Sequence, residues 1–439
     1  MALIIGLLPQ EKCISGVKSA QVGPKYRTMC GHTRAARKLR AVSEQLDARP
    51  APSPARPPAS ATFPSVGIVG AGQLARMTCP AAAGLGIGLR VLAAAPGESA
   101  AQVWPDIRLG DYRSLDDLRD FAATCDVLTF DHEHVPGPHL AALEQAGFVI
   151  RPGQAALRYT QDKLAMRERL TALGIRCPRC APVSDLAGIE RFAEASDWPV
   201  VLKAVSGGYD GKGVWVCASR GEAAEVAGLG LRLLAEEYVA FDRELAALVA
   251  RSPHRQGAAY PVVQTIQQEG ICREVLAPAP GLAPDRVEEA QSLALRIASE
   301  LDVMGLLAVE LFDTPRGLLV NELAMRPHNC GHWTIEGAAT SQFEQHLRAV
   351  LDLPLGAPGM LAPHAVMANV LGGTDPDVYA RYIHVMAADP GVKVHLYGKA
   401  VRPGRKIGHV TVLGDDVAGL RDRARRAASF LRWGTEDGE

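Results

Sequence analysis

The sequence predicts a protein of mixed α/β and α+β class in three parts. These are a doubly wound parallel-sheet domain near the N-terminus, a larger α+β domain in the centre and a small C-terminal domain. Three observations carry that prediction. From Ser65 onward short β-branched runs alternate with helical segments, the pattern of a parallel sheet covered on both faces. Further on, "WPVVLKAVSGGYDGKGVWV" reads strand, glycine-rich loop, strand, and the apolar runs after it are joined by turns, which suggests antiparallel pairing. The length of 439 residues suits two or three domains. The boundaries drawn on this reading are 1–64 for an extension, then 65–160, 161–362 and 363–439, the last ending in a flexible tail.

Residues 1–64 stand apart. "RPAPSPARPPASATFP" is rich in Pro, Ala and Ser, is basic and has no periodic apolar pattern, so it does not offset its ordering entropy. A transit peptide has a similar composition. The reading favoured is a disordered extension or a start codon assigned too far upstream.

Lys plus Arg (47) nearly equals Asp plus Glu (48), so no global field recruits nucleic acid or a membrane. No apolar run approaches the roughly 18 residues of a membrane helix. The expected partners are small molecules, and any anionic substrate must be held by local charge. Cys177 and Cys180 form a lone CxxC among nine cysteines. No second pair has zinc-site spacing, so the expectation is reduced cysteines in a cytoplasmic protein.

In the first domain "SVGIVGAGQLARM" gives a strand, a turn at Gly70-Ala-Gly72 and a helix whose N-terminus can hold a phosphate. "LRVLAAA" and "CDVLTFDHEHV" supply further strands. The GxG is not a dinucleotide fingerprint: Ala75 occupies the third glycine position, and the second strand ends in Ala93-Ala94-Ala95-Pro96 with no carboxylate for a ribose. Leu164, Arg167, Leu170 and Leu173 then trace a helix closed by Gly174. "LLAEEYV", "RELAALVARS" and "AYPVVQTIQQEGICREVLAPAP" follow as strands. After Pro363 come "VMANVLGG", "VKVHLYGK" and "RPGRKIGHVTVLG".

The chemistry concentrates in "VELFDTPRGLLVNELAMRPHNCGHW", Val309 to Trp333. Two strand-like runs flank a Pro-Gly turn, so Glu310 faces Asn321 or Glu322 across a hairpin. Like charges opposite each other are destabilising, and burying them unpaired costs more. A cation between them resolves this. Hard oxygens on a rigid hairpin suit Mg²⁺, which takes a couple of carboxylates and completes its shell with water and phosphate oxygens. The glycine loop Ser206–Gly213 can lay its amides over phosphates, with Lys203 reaching them from the preceding strand. It is not a P-loop, because GxxxxGK[ST] is absent.

Lys163, Lys203, the glycine loop, "AEEYV", Glu310 and Asn321-Glu322 resemble, in this order, an ATP-grasp enzyme. The resemblance implies a Rossmann-like pre-ATP-grasp domain, a central ATP-grasp domain and a small C-terminal domain. It implies that ATP is held by Lys163, Lys203, the loop residues Gly208, Tyr209, Asp210, Gly211, Lys212 and Gly213, and Asn321 with Glu322. It also implies a hinge of Glu236, Glu237, Tyr238 and Val239 at adenine, and Glu244 at the ribose. Glu310 and Glu322 are the implied Mg²⁺ ligands.

The motifs "GAGQLARM", "FDHEHVP", "GGYDGKG", "NELAMRPHNCGHWTIEGAATSQFEQH" and "HLYGKAVRPGRKIGHVTVLG" are more specific. Together they resemble the N5-carboxyaminoimidazole ribonucleotide synthase family over residues 65 to about 415. The implied reaction joins bicarbonate to 5-aminoimidazole ribonucleotide at the cost of ATP, through carboxyphosphate, in purine biosynthesis. Tyr209, Arg326, His328 and Lys399 are the implied groups around bicarbonate, with Arg326 as a clamp and His328 moving a proton. Gly72, Gln73, Leu74, Glu133, Asp210, Lys212 and Arg405 are the implied contacts of the aminoimidazole nucleotide. The family also implies a homodimer. Asp131 stands where a glutamate is usual, Gln267 where a nucleotide-contacting histidine is common, Cys330 where serine is usual and Ala71 where glycine is common. His332, Trp333 and Phe343 are expected as packing residues. Biotin carboxylases and formate-dependent glycinamide ribonucleotide transformylases are the neighbouring alternatives.

Overall fold

The computed structural model describes residues 63–208 and 212–435; almost all of the expected extension, and Tyr209, Asp210 and Gly211 of the glycine loop, lie outside the described residues. The first domain is built from β1 (Ser65–Val69), α1 (Gln73–Leu85), β2 (Gly88–Ala93), β3 (Ile107–Leu109), α2 (Leu115–Ala122), β4 (Val127–Phe130), α3 (Gly137–Gln145) and α4 (Gln154–Gln161). Its four strands are parallel in the order β3-β2-β1-β4. Alternate residues of these strands pack on opposite faces, as the pleat requires. Val66, Ile68 and Val91 join Ala75, Cys79 and Ala82 of α1, while Val69, Leu92 and Phe130 join Leu118, Phe121, Leu140 and Leu143 of α2 and α3. The double winding expected from the alternation is therefore present.

The central block opens with α5 (Lys163–Ala172), which Asp162 caps by accepting from the Ala165 N–H and which Gly174 follows at φ 67°. A four-stranded antiparallel sheet comes next: β5 (Cys180–Val183), α6 (Leu186–Ser196), β6 (Val200–Ala204), β7 (Val214–Cys217), α7 (Arg220–Ala227) and β8 (Leu233–Glu237), in the order β5-β8-β6-β7. The glycine loop is the β6–β7 connection.

The second sheet of this block holds β9 (Arg243–Arg251), β10 (Gly257–Ala259), β11 (Val263–Gln268), β12 (Ile271–Ala277), β13 (Gly305–Thr314) and β14 (Gly317–Ala324), with α8 (Pro284–Glu300) between β12 and β13. The chain then makes a 3-10 turn (Asn329–Gly331), α9 (Thr334–Gly337) and α10 (Gln342–Val350). The C-terminal block supplies β15 (His364–Leu371), α11 (Val378–Ala388), β16 (Lys393–Leu396), β17 (Lys406–Gly414) and α12 (Val417–Trp433). Its strands extend the central sheet: β12 pairs with β15, and the order runs β14-β13-β9-β11-β12-β15-β17-β16. Nine strands thus carry residues of both blocks into one surface, which no local pattern in the sequence announces.

Candidate active site

The β13–β14 hairpin settles the open question of register: Glu310 pairs with Glu322, and the next pair is Leu311 with Val320. Asn321 is the extra residue of a β-bulge. In a regular strand neighbouring side chains point to opposite faces. The bulge relaxes that rule, so Asn321 and Glu322 both reach lysines of the same cavity. Lys203 Nζ donates to Asn321 Oδ1 at 2.9 Å, and Lys163 Nζ is bonded to Glu322 Oε1.

That cavity, of about 970 Å³, gathers residues from all three blocks. Of the residues named from the sequence, it is lined by Gln73, Leu74 and Glu133, by Lys163, Lys203 and Gly208, and by Glu236, Glu237, Tyr238, Val239, Glu244 and Gln267. Glu310, Asn321, Glu322, Arg326, His328 and Lys399 complete the set. Gly72, Lys212, Gly213 and Arg405 are not among its lining residues. Arg405 is exposed and donates to the Ala400 carbonyl at 3.2 Å, while its neighbour Lys406 lines the cavity.

A buried ion cluster supports the phosphate end. Glu236 holds Lys203 at 2.8 Å and Arg167 at 2.7 Å. Burial by itself would raise the Glu236 carboxyl; Lys203 and then Arg167 reverse that and hold it at about 2. Burial pushes the Lys203 ammonium down, and Glu236 opposes that shift. Arg167 also donates to the carbonyls of Val320 (3.0 Å) and Asn321 (2.8 Å), so it braces the bulge. In the sequence Arg167 does no more than trace a helix. Its signal was a charged residue inside an apolar stripe. The Glu236 side chain therefore faces these cations, and the hinge can offer adenine its backbone and the residues that follow. Phe241 and Phe312 stack at 4.8 Å between centroids and both line the cavity, an aromatic wall the sequence did not reveal.

Burial, then the charges of Glu322 and Glu244, raise the Glu310 carboxyl to about 7 against Lys406 and Lys163. Burial alone raises Glu244 to about 7. A raised Glu310 carboxyl facing the Glu322 carboxylate across the hairpin is a donor set that a divalent cation would relieve. Among the described residues no three His, Cys, Asp or Glu side chains form a metal cage of their own. Two carboxylates with room for phosphate oxygens fit Mg²⁺, which binds in that way.

The polar residues after the hairpin divide in two. His328 Nε2 lies 3.6 Å from Glu310 Oε1, while its Nδ1 accepts from the Cys330 N–H at 3.4 Å and lies 3.2 Å from the Cys330 sulfur. Nε2 is thus the nitrogen that faces the acid and the cavity. His332 is buried, its Nδ1 2.9 Å from the Gln342 amide, and Trp333 and Phe343 are core residues, as expected. Asn329 and Asn369 exchange amide hydrogen bonds of 2.9 and 2.8 Å, tying the loop to β15.

The first βα turn corrects one expectation. The amides of Gly72 and Ala75 donate to the Asp131 carboxylate at 3.1 and 2.8 Å. A Cβ on Gly72 would stand 2.1 Å from Asp131 Oδ2. The helix N-terminus offered to a phosphate is occupied by the chain's own anion, which satisfies the same amides and dipole.

Comparison with known proteins bears on what such a cavity does. Three family models match the chain: a ribonucleotide synthetase preATP-grasp domain over residues 63–161, an ATP-grasp domain over 168–343 and a phosphoribosylaminoimidazole carboxylase C-terminal domain over 365–423. The chain is 54% identical over 389 residues to the N5-carboxyaminoimidazole ribonucleotide synthase of Mycobacterium tuberculosis, covering 86% of this chain and 91% of that protein. It resembles the crystal structure of the Thermus thermophilus N5-carboxyaminoimidazole ribonucleotide synthetase with a TM-score of 0.76 and 36% identity, over 84% of this chain and 98% of that one. A crystal structure of the Aspergillus clavatus N5-carboxyaminoimidazole synthase in complex with ADP and 5-aminoimidazole ribonucleotide is similar at a TM-score of 0.78 and 31% identity, over 84% and 99% of the two chains.

Proposed function

The chain belongs to the N5-carboxyaminoimidazole ribonucleotide synthase family of ATP-grasp enzymes, and on that premise we propose how its cavity performs the reaction. The protein is an ATP-dependent carbon–nitrogen ligase that carboxylates 5-aminoimidazole ribonucleotide to its N5-carboxy form in purine biosynthesis. The observation that carries the assignment of roles is one cavity lined by Lys163 bonded to Glu322, Lys203 bonded to Asn321, Glu310 with His328 beside it, and Arg326 and Lys399.

ATP lies between the two antiparallel sheets. Its adenine meets the backbone of Glu237, Tyr238 and Val239, its ribose meets Glu244, and its phosphates lie under the glycine loop against Lys163 and Lys203. Gln267 borders the same end. Glu310 and Glu322 would hold Mg²⁺, and the chemistry such an ion would supply here is charge neutralisation at the transferred phosphoryl group. Bicarbonate binds beside Arg326, whose planar fork suits a carboxylate, with Lys399 adding charge.

A bicarbonate oxygen attacks the γ-phosphorus, giving carboxyphosphate and ADP. The substrate amine then attacks the carbonyl carbon, phosphate leaves with its bonding pair, and the amine gives up a proton. His328 exchanges that proton with the cavity through Nε2. Carboxyphosphate hydrolyses readily, so the reaction requires that water be kept from it. Gln73 and Leu74 border the nucleotide substrate; the roles of Asp210, Lys212 and Arg405 at that substrate, and of Tyr209 at bicarbonate, rest on family resemblance alone. We also propose a cytoplasmic homodimer, on family resemblance. No helix among the described residues is long and apolar enough to cross a membrane. Light scattering tests the dimer.

ADP release tests the reaction. Turnover is expected with the aminoimidazole nucleotide plus bicarbonate. Turnover with glycinamide ribonucleotide or biotin in place of the aminoimidazole nucleotide, and none with the latter, overturns the assignment.

A further inference from the structure

Glu133 follows β4 in the first domain, yet its carboxylate is engaged by the central block. Oε1 accepts from the Met325 N–H at 2.7 Å and Oε2 accepts from Arg326 Nε at 2.8 Å. The pair is mostly withdrawn from water, with side chains 12% and 23% exposed. The Glu133 loop is itself fixed. Gln161, the last residue of α4, donates its amide to the carbonyls of Glu133 (2.9 Å) and Val135 (2.8 Å). Asp131, two residues earlier, is tied to the start of α1. Arg326 gains a second anchor from its own segment, donating from a terminal nitrogen to the Pro327 carbonyl at 3.2 Å.

We propose that Glu133 is a positioning residue that orients the Arg326 guanidinium for bicarbonate, so that the first domain completes an anion site whose reacting groups lie in the central domain. This rests on Arg326 as the bicarbonate clamp. A long cationic side chain loses rotamer entropy when it is fixed, and fixing it before the ligand arrives removes that cost from binding. Recognition by a fork depends on the direction of its plane, which the bond at Nε sets. A carboxylate already accepting two strong bonds is, by contrast, a weak handle for a substrate that bears a phosphate, because the two anions repel.

The test uses the full chain with bicarbonate and the aminoimidazole nucleotide varied separately, in Glu133→Gln, Glu133→Asp and Arg326→Lys and in the Glu133→Gln/Arg326→Lys double variant. Glu133→Gln still accepts from Met325 but loses the charge-assisted bond. Losing such a bond is expected to raise KM for bicarbonate by about tenfold to a hundredfold, with KM for the nucleotide within about twofold. Glu133→Asp, which keeps the charge, recovers part of the loss. The effects of Glu133→Gln and Arg326→Lys are non-additive in the double variant, because both act on one group.

A rise in the nucleotide KM with the bicarbonate KM unmoved makes Glu133 a substrate contact and overturns the proposal. Equal rises in both, with a lower unfolding temperature, make it merely structural and also overturn it. If Arg326→Lys raises the bicarbonate KM and Glu133→Gln does not, positioning fails while the clamp stands. If Arg326→Lys leaves that KM unchanged, the clamp itself fails and the proposal falls with it.

Discussion

Replacing Glu236 by Gln removes the carboxylate that two buried cations share. The side chains of Glu236, Arg167 and Lys203 are 3%, 1% and 11% exposed. The carboxyl is held at about 2, against an ordinary value of 4.5. At about 1.4 kcal/mol per unit, that shift corresponds to roughly 3 kcal/mol. Since the folded value lies below the unfolded one, this stabilisation is complete above about pH 4.5 and is lost as pH falls toward about 2. Removing one partner of a buried ion pair costs, on independent grounds, about 3–5 kcal/mol. At neutral pH the variant should therefore lose about 3 kcal/mol from the central block, a fall of roughly 6–12 °C in its unfolding midpoint by scanning calorimetry. Nucleotide affinity should fall as well, because burial then acts on Lys203 without its main counter-charge. A midpoint within about 1 °C of the parent, with unchanged ADP affinity, would show that water reaches the cluster and would refute this account.

Three further outcomes are expected. Glu322→Gln should fold normally, since its side chain is 45% exposed, and lose most ATP turnover; parent-like rates at saturating Mg²⁺ would remove Glu322 from the metal site. His328→Ala should leave ADP affinity near normal and cut carboxylation by about 10²–10⁴-fold, the usual range for a lost proton-transfer group; an equal loss of nucleotide affinity would point to a structural role. His346, buried with Thr129 Oγ1 2.7 Å from its Nε2 and the Leu306 N–H 3.2 Å from its Nδ1, is pushed by burial from 6.5 to about 3. Between those values the unfolded chain binds a proton that the folded chain refuses, so stability falls as pH drops below 6.5 and is unaffected by this group above it. His346→Gln should shrink the acid-induced loss by about 2 kcal/mol between about pH 6.5 and 5, read from unfolding midpoints; an unchanged pH slope would overturn the assignment.

What the sequence determined by itself was chiefly local. Alternating strands and helices from Ser65, the glycine loop after Lys203 and the hairpin around Pro315 follow from periodicity and turn chemistry, which act over a few residues. The opposition of Glu310 to an acid or amide followed from counting back from that turn. Only the tertiary structure decided that the partner is Glu322, because the bulge at Asn321 shifts the register by one and no residue type announces it. Arg167 looked like one more position on a helix; its worth depends on Glu236 and the bulge, which are far from it in the chain. The Gly72 turn looked like a phosphate cradle until Asp131, just past the end of β4, took its amides. The joining of the C-terminal strands to the central sheet, and the grip of Glu133 on Arg326, likewise depend on contacts between distant segments. A sequence records which groups a segment can offer. Which of them meet is set by long-range packing, where burial and register, and not propensity, make the choice.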